Sequence, residues 1–319
     1  MKKIVFFLLS VSILTTAAAQ NKENKYAAVD AYVKKLGSLD SFNVATIADT
    51  ITRSFNDKEK KARAIFYWIA NNIALDPKAV RANDTKKTDP VIVVQTRKAT
   101  ALGFSLLVQE MCSMAGIRCL SVDGYTKYSV EDINNPADAP NHSWNVVQLG
   151  KSPEEWFYID AAKASGSIDS RFTIFTPRFI SGYFFADKKL FNLDHCPDNG
   201  AWLLGEGTKS VREFYALPMI GNYAYEIGLH KPTPATGNFK AKTSGTTRFS
   251  FNYNDSTAIK TVDIILGEGK RQSKPEAAEF SDGGGQISFG YKFKKDDSFP
   301  VKLVVNGETL IQYLAEVTE

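Results

Sequence analysis

The residues most able to do chemistry together are a histidine and an aspartate at the two ends of an expected hairpin. His142 opens an apolar run to Leu149, Asp160 closes a second run from Glu155, and Gly150-Lys151-Ser152-Pro153 between them has turn composition. A turn centred near Lys151 puts His142 opposite Asp160. Side chains opposed in this way have Cβ atoms about 5 Å apart, close enough for a carboxylate to orient an imidazole. A slip of one residue would send the two to opposite faces of the sheet. An imidazole held by a carboxylate can serve as a base or bind a ligand. It can also be an ordinary structural hydrogen bond, whose loss strands a partner at about 1 to 3 kcal/mol.

The other reactive residues offer less. Cys112, Cys119 and Cys196 form an odd set with no C-x-x-C pair, which argues against a zinc knuckle or a disulfide framework and leaves room for one Cys112–Cys119 bridge. Cys196 beside His195 suggests a metal pair, but adjacent side chains diverge and no third ligand is apparent, so no metal or cofactor is expected. Gly283-Gly284-Gly285 lacks the downstream helix and lysine of a phosphate loop and reads as a plain loop. Tyr125, Tyr128, Tyr183, Phe184 and Phe185 read first as packing, with part of the group free to line a cleft.

Positioning these side chains requires a scaffold, and its elements are visible. Asn56 with Glu59 three residues on marks a helix start, followed by Ala62, Ile65, Phe66, Ile69 and Ile73 at helical spacing. That helix is expected to stop near Asp76-Pro77, with Arg81 to Asp89 an exposed loop. A second helix is expected from Ala101 to Ala115, with Thr100 as N-cap, Leu102, Leu106, Leu107, Met111 and Met114 apolar, and Gly116 just past its end. Strands follow over Arg118–Lys127, His142–Leu149 and Glu155–Asp160. Beyond Leu217-Pro218 the pattern changes to short alternating runs, Arg248–Tyr253, Ile259–Leu266, Gln286–Phe293 and Val301–Val305, which suit a β-sandwich.

Composition sets the outer bounds. The chain has 319 residues, 44% of them hydrophobic, and a formal charge of +4 spread without stripes. It is globular, long enough for about two domains, and shows no nucleic-acid footprint. The first residues read as an export signal: Lys2 and Lys3, an apolar run from Ile4 to Leu14 too short to span a bilayer of about 30 Å, then Ala17-Ala18-Ala19. Cleavage after Ala19 or Gln20 would leave a periplasmic or secreted protein of charge +2 with no membrane span.

Four ordered blocks carry a family resemblance. They are Trp68-Ile69-Ala70-Asn71-Asn72-Ile73-Ala74-Leu75-Asp76, Ala101-Leu102-Gly103-Phe104-Ser105, His142-Ser143-Trp144-Asn145-Val146-Val147 and Tyr158-Ile159-Asp160-Ala161-Ala162. Together with Asp194-His195-Cys196-Pro197 and Glu213-Phe214-Tyr215-Ala216-Leu217-Pro218, they resemble the transglutaminase-like superfamily, in particular its bacterial, kyphoscoliosis-peptidase-like members. The resemblance implies an α+β fold: a papain-like core of helices on an antiparallel sheet over residues 20–217, then an all-β Ig-like sandwich over 218–319, with residues 1–19 a signal peptide.

It also implies a mechanism that this chain lacks the means to run. In the family a cysteine at a helix N-terminus attacks an amide carbonyl, its thiolate stabilised by the helix dipole and by a histidine that an aspartate orients. His142 and Asp160 match the histidine and aspartate, while the nucleophile position is Ala101. Cys112 lies about 16 Å further along the same helix at 1.5 Å per residue and cannot substitute. Ser105 sits a turn away, and Thr100 is taken up as a cap. Where relatives carry Thr and an aromatic after Asp-Ala, this chain has Ala162 and Lys163. The expectation is an inactive, exported protein whose cleft, with Trp144, Lys163 and Gly103 as candidates, binds a protein, peptide or cell-wall component. The alternative is a papain-like peptidase or protein-glutamine acyltransferase with another nucleophile.

Overall fold

A computed structural model describes residues 25–82, 84–152, 155–169, 171–254 and 257–319. The expected signal segment and Pro153 of the expected turn lie outside the described residues.

The helical part begins with α1 (Ala27–Leu36), α2 (Val44–Thr52) and α3 (Lys58–Asn72). The cap of α3 is Asp57 rather than Asn56: its side chain accepts from the Lys60 N–H at 2.9 Å, and Glu59 turns away to Tyr26 and Lys25. After α3 the chain forms a short strand β1 (Ala74–Leu75), then α4 (Pro77–Ala82), a 3-10 turn (Thr85–Thr88) and α5 (Pro90–Thr96). The stretch expected to be loop is therefore largely helical. Asp89 caps α5 through the Val91 N–H, and Pro90 suits its first turn. Strand β2 (Lys98–Ala99) pairs parallel with β1 and delivers the chain into α6 (Ala101–Met114).

Helix α6 is the central element of the core. Thr100 caps it through the Gly103 N–H, and Gly116 (φ +73°) takes up the left-handed turn past its end. Phe104, Leu107, Val108, Met111 and Cys112 follow helical spacing and are buried. They face a sheet of order β5-β4-β3-β8, in which β3 is Arg118–Tyr125, β4 His142–Gln148, β5 Trp156–Ile159 and β8 Cys196–Pro197. Between β5 and β8 lie α7 (Ala161–Ser165), the hairpin of β6 (Gly166–Ile168) with β7 (Phe175–Pro177), and α8 (Lys188–Asp194).

The C-terminal part starts after α9 (Val211–Tyr215) with β9 (Met219–Ile220) and a short α10 (Tyr223–Ile227). Then come β10 (His230–Thr233), β11 (Asn238–Lys242), β12 (Thr247–Asn252), β13 (Val262–Leu266), β14 (Glu276–Ala277), β15 (Phe280–Asp282), β16 (Gln286–Tyr291), β17 (Asp297–Val305) and β18 (Glu308–Thr318). One sheet runs β10-β12-β16-β15 and the other β11-β18-β17-β13-β14, with β9 added against β18. All these pairings are antiparallel except β11 with β18. Phe249 packs against Tyr313 with ring centroids 6.0 Å apart and against Phe239 at 5.7 Å, so the two sheets bury their inner faces on each other. Buried apolar residues form one cluster that extends from α1 to β18, joining both parts of the chain.

Candidate active site

His142 and Asp160 meet, though not as directly opposed partners of a ladder. The hairpin register pairs Asn145 with Ile159, so Asp160 lies one residue past β5 and His142 pairs on its other side with Gly124 of β3. This register differs from the expected one by two residues, an even slip, so both side chains keep the same face. His142 Nε2 stands 2.6 Å from Asp160 Oδ2. Asp160 is the N-cap of α7, its Oδ1 accepting from the Lys163 N–H at 2.8 Å. The cap fixes one carboxylate oxygen and leaves the other for the imidazole.

A third residue completes this cluster, and the sequence reading had set it aside. His195 follows α8 directly, and its Nε2 stands 3.0 Å from the same Asp160 Oδ2. Cys196 and Pro197 pair with Tyr125 and Gly124, which locks the end of α8 against the sheet. Gly124 permits this approach: a Cβ there would lie 2.3 Å from the Cys196 carbonyl oxygen. His195 stacks on Phe191 with centroids 3.8 Å apart, and Phe191 stacks on Tyr158 at 4.2 Å. Far from lacking a third ligand, His195 therefore has His142 and Asp160 as neighbours, all three buried. Cys196 takes no part in the group.

Ala101, the first residue of α6, and His142 both line a cleft of about 1210 Å3. Its walls include Thr100, Tyr128 and Lys163 from the first part of the chain, and Met219, Asn222 and Gln312 from the second. His142 Nδ1, the ring nitrogen not facing Asp160, is 3.2 Å from the hydroxyl of cleft-lining Tyr128. A base acting from His142 would use this nitrogen, and the methyl of Ala101 gives it no proton to take.

The other cleft candidates are corrected. Trp144 does not line the cleft: it is 1% exposed, packed on His142 and His195. Gly103 is also interior, because α6 passes so close to the 3-10 turn that a Cβ there would lie 2.1 Å from the Lys87 carbonyl oxygen. Lys163 lines the cleft, but its ammonium is committed to Asp194 Oδ1 and Oδ2, both at 2.8 Å, and to Thr126 Oγ1 at 2.7 Å. Ser105 donates to the Trp144 carbonyl and is structural. Tyr125, Tyr183 and Phe184 are buried packing, leaving Tyr128 as the member of that aromatic group on the cleft. Cys112, Cys119 and Cys196 are free buried thiols, so no Cys112–Cys119 bridge forms; a hydrogen bond from Cys112, with burial, raises the Cys119 thiol.

Electrostatics divide the site into charged and neutral members. Burial raises the Asp160 carboxyl, but the charge and hydrogen bonds of His142 and His195 outweigh it and hold it well below the carboxylate range. Asp194 behaves likewise, burial opposing and Lys163 prevailing. Burial pushes His195 down to about 4, so it is neutral at pH 7. Burial also lowers Lys127, on the cleft wall, to about 7; its ammonium donates to the Phe214 carbonyl at 2.8 Å and lies 3.8 Å from the Phe214 ring centroid.

Comparison with known proteins agrees with this arrangement. Residues 45–161, from α2 through Asp160, match the model of the transglutaminase-like superfamily. The kyphoscoliosis peptidases of Mus musculus and Homo sapiens are each 29% identical over 191 residues, 60% of this chain. The chain spans about 28% of the length of those relatives. A solved transglutaminase structure aligns at 20% identity over 46% of this chain and 34% of its own, with a TM-score of 0.28. The matched segment contains α6, His142 and Asp160, and it places this chain in the transglutaminase-like superfamily.

Proposed function

We propose that the chain is an exported, catalytically inactive transglutaminase-like protein whose cleft binds a protein, peptide or cell-wall component, with residues 218–319 as an Ig-like second domain. The observation that carries this reading is Ala101 at the start of α6, on the same cleft wall as His142. That position at a helix N-terminus, beside an imidazole held by Asp160, is where a thiol would be ionised. Among the described residues no cysteine lines the cleft. The neighbouring hydroxyls are engaged: Thr100 caps α6 and Ser143 donates to Asp123 at 2.6 Å.

A macromolecular ligand fits the dimensions. The cleft, about 1210 Å3, exceeds the range of about 300 to 1,000 Å3 usual for small-molecule pockets. Export is supported by Lys2-Lys3, the apolar run to Leu14 and Ala17-Ala18-Ala19. The test is release of amine or ammonia from a peptide library by the purified protein. The expected result is none above buffer. Release that disappears in His142→Ala would establish instead an amide-directed enzyme with a different nucleophile.

A further inference from the structure

The two imidazoles of the buried cluster present the same edge to one carboxylate oxygen. His142 Nε2 and His195 Nε2 stand 2.6 and 3.0 Å from Asp160 Oδ2. Their other nitrogens each meet an oxygen. His195 Nδ1 is 3.3 Å from the Phe191 carbonyl oxygen and 3.6 Å from Asp194 Oδ2. His142 Nδ1 is 3.2 Å from the Tyr128 hydroxyl, which is also placed to donate to the Asn141 carbonyl at 3.1 Å.

These contacts constrain the protons. A carbonyl only accepts, so a hydrogen bond at His195 Nδ1 needs the hydrogen on that nitrogen. A Tyr128 hydroxyl whose single proton goes to Asn141 can only accept from His142 Nδ1–H. With both Nδ1 positions protonated, two neutral rings aim lone pairs at an ionised oxygen. Such an arrangement repels unless something positive lies among the three atoms. Two further protons would create two imidazolium ions in a buried space already bordered by the Lys163 ammonium. One divalent cation supplies the same charge at a single point. Fixing the distal N–H of a histidine on a carbonyl, hydroxyl or carboxylate is also how proteins set the tautomer of a metal ligand.

We propose that His142 Nε2, His195 Nε2 and Asp160 Oδ2 form a binding site for a late first-row divalent metal ion of the Zn2+ class, with water completing the coordination. Two imidazoles and a carboxylate are the donor set such ions take. With metal–ligand bonds of about 2.0 to 2.1 Å, tetrahedral donors sit about 3.3 Å apart, so the two short contacts need open by only about 0.3 and 0.7 Å. Asp160 is held at Oδ1 by the α7 cap, so this adjustment falls on the rings. The site uses the inward edge of His142 and does not depend on whether the cleft outside is catalytic.

The test uses tag-free protein stripped with chelator and titrated calorimetrically with Zn2+, alongside Co2+ as a spectroscopic probe. The expected result is one site with Kd below about 1 μM, Co2+ visible bands of a four-coordinate nitrogen and oxygen site, and affinity at least about 100-fold weaker in His195→Gln. Absence of binding up to about 100 μM Zn2+ by the folded wild type overturns the proposal, as does unchanged affinity in folded His195→Gln. Should that variant not fold, zinc-edge X-ray absorption of the wild type decides. A shell with two imidazoles supports the site, and a sulfur shell or one without imidazole overturns it.

Discussion

Replacing Lys163 by methionine tests whether this residue is a free cation of the cleft or half of a buried ion pair. Its side chain is 15% exposed and that of Asp194 3%. The replacement keeps the apolar stem but removes the bonds to Asp194 and Thr126. Removing one partner of a buried pair costs about 3 to 5 kcal/mol, because the other charge is left without compensation. Asp194 keeps the Tyr225 hydroxyl at 3.2 Å and the Tyr183 hydroxyl at 3.5 Å, which places the expected loss near the lower bound, about 3 kcal/mol. Urea denaturation of wild type and Lys163→Met measures it, and adding Asp194→Asn should recover part of the loss by neutralising the stranded carboxylate. The Asp194 carboxyl is depressed in the fold, so its pairing contributes fully above the ordinary aspartate value of about 3.9 and is lost as pH falls through the folded value. The difference between wild type and variant should therefore shrink in acid. A loss below about 1 kcal/mol, typical of an exposed ion pair, would refute the reasoning.

Other parts of the site give further expectations. Gly103→Ala should destabilise by about 2 kcal/mol in the same denaturation assay, because the new Cβ meets the Lys87 carbonyl; the gain of about 1 kcal/mol expected from helix propensity alone would contradict that packing. Folding lowers the Lys127 ammonium from its ordinary 10.5 to about 7, so the unfolded chain holds more proton across that window and wild-type stability should rise with pH through it relative to Lys127→Met. A pH-independent difference between those two proteins would show that burial does not shift the amine. A thiol-directed chromogenic reagent should find the three cysteines unreactive in the native protein and all reactive on denaturation; only one reactive thiol after denaturation would mean a disulfide.

What the sequence disclosed and what it concealed follow from the range of the interactions. Helix α6 was readable from Thr100 to Gly116 because cap, apolar spacing and left-handed glycine are local features. The meeting of His142 and Asp160 survived a register error because the slip was even. His195 was passed over because its relation to Asp160 depends on α8 and on the pairing of Cys196 with Tyr125, neither of which leaves a mark in local spacing. The adjacent Asp194-His195 pair, both residues buried, was the available clue. Lys163 displayed its charge but not its partner Asp194, far along the chain. Strand β18 had a clearer signal than the reading used: Asn306 and Gly307 both have positive φ, and Asn-Gly between two β runs is a strong hairpin turn. Its parallel pairing with β11 depends on the tertiary fold alone.

The central claim is that the fold keeps a working histidine–aspartate pair around a position emptied of its nucleophile. Ala101→Cys in metal-free buffer, treated near neutral pH with a cysteine-directed alkylating agent and mapped by peptide mass, tests it most directly. The wild-type background should be low because Cys112, Cys119 and Cys196 are buried. The account predicts rapid labelling at position 101 that falls to the rate of an ordinary thiol when His142→Ala is added. Labelling at 101 no faster than an ordinary exposed cysteine, or equally fast without the imidazole, would contradict it.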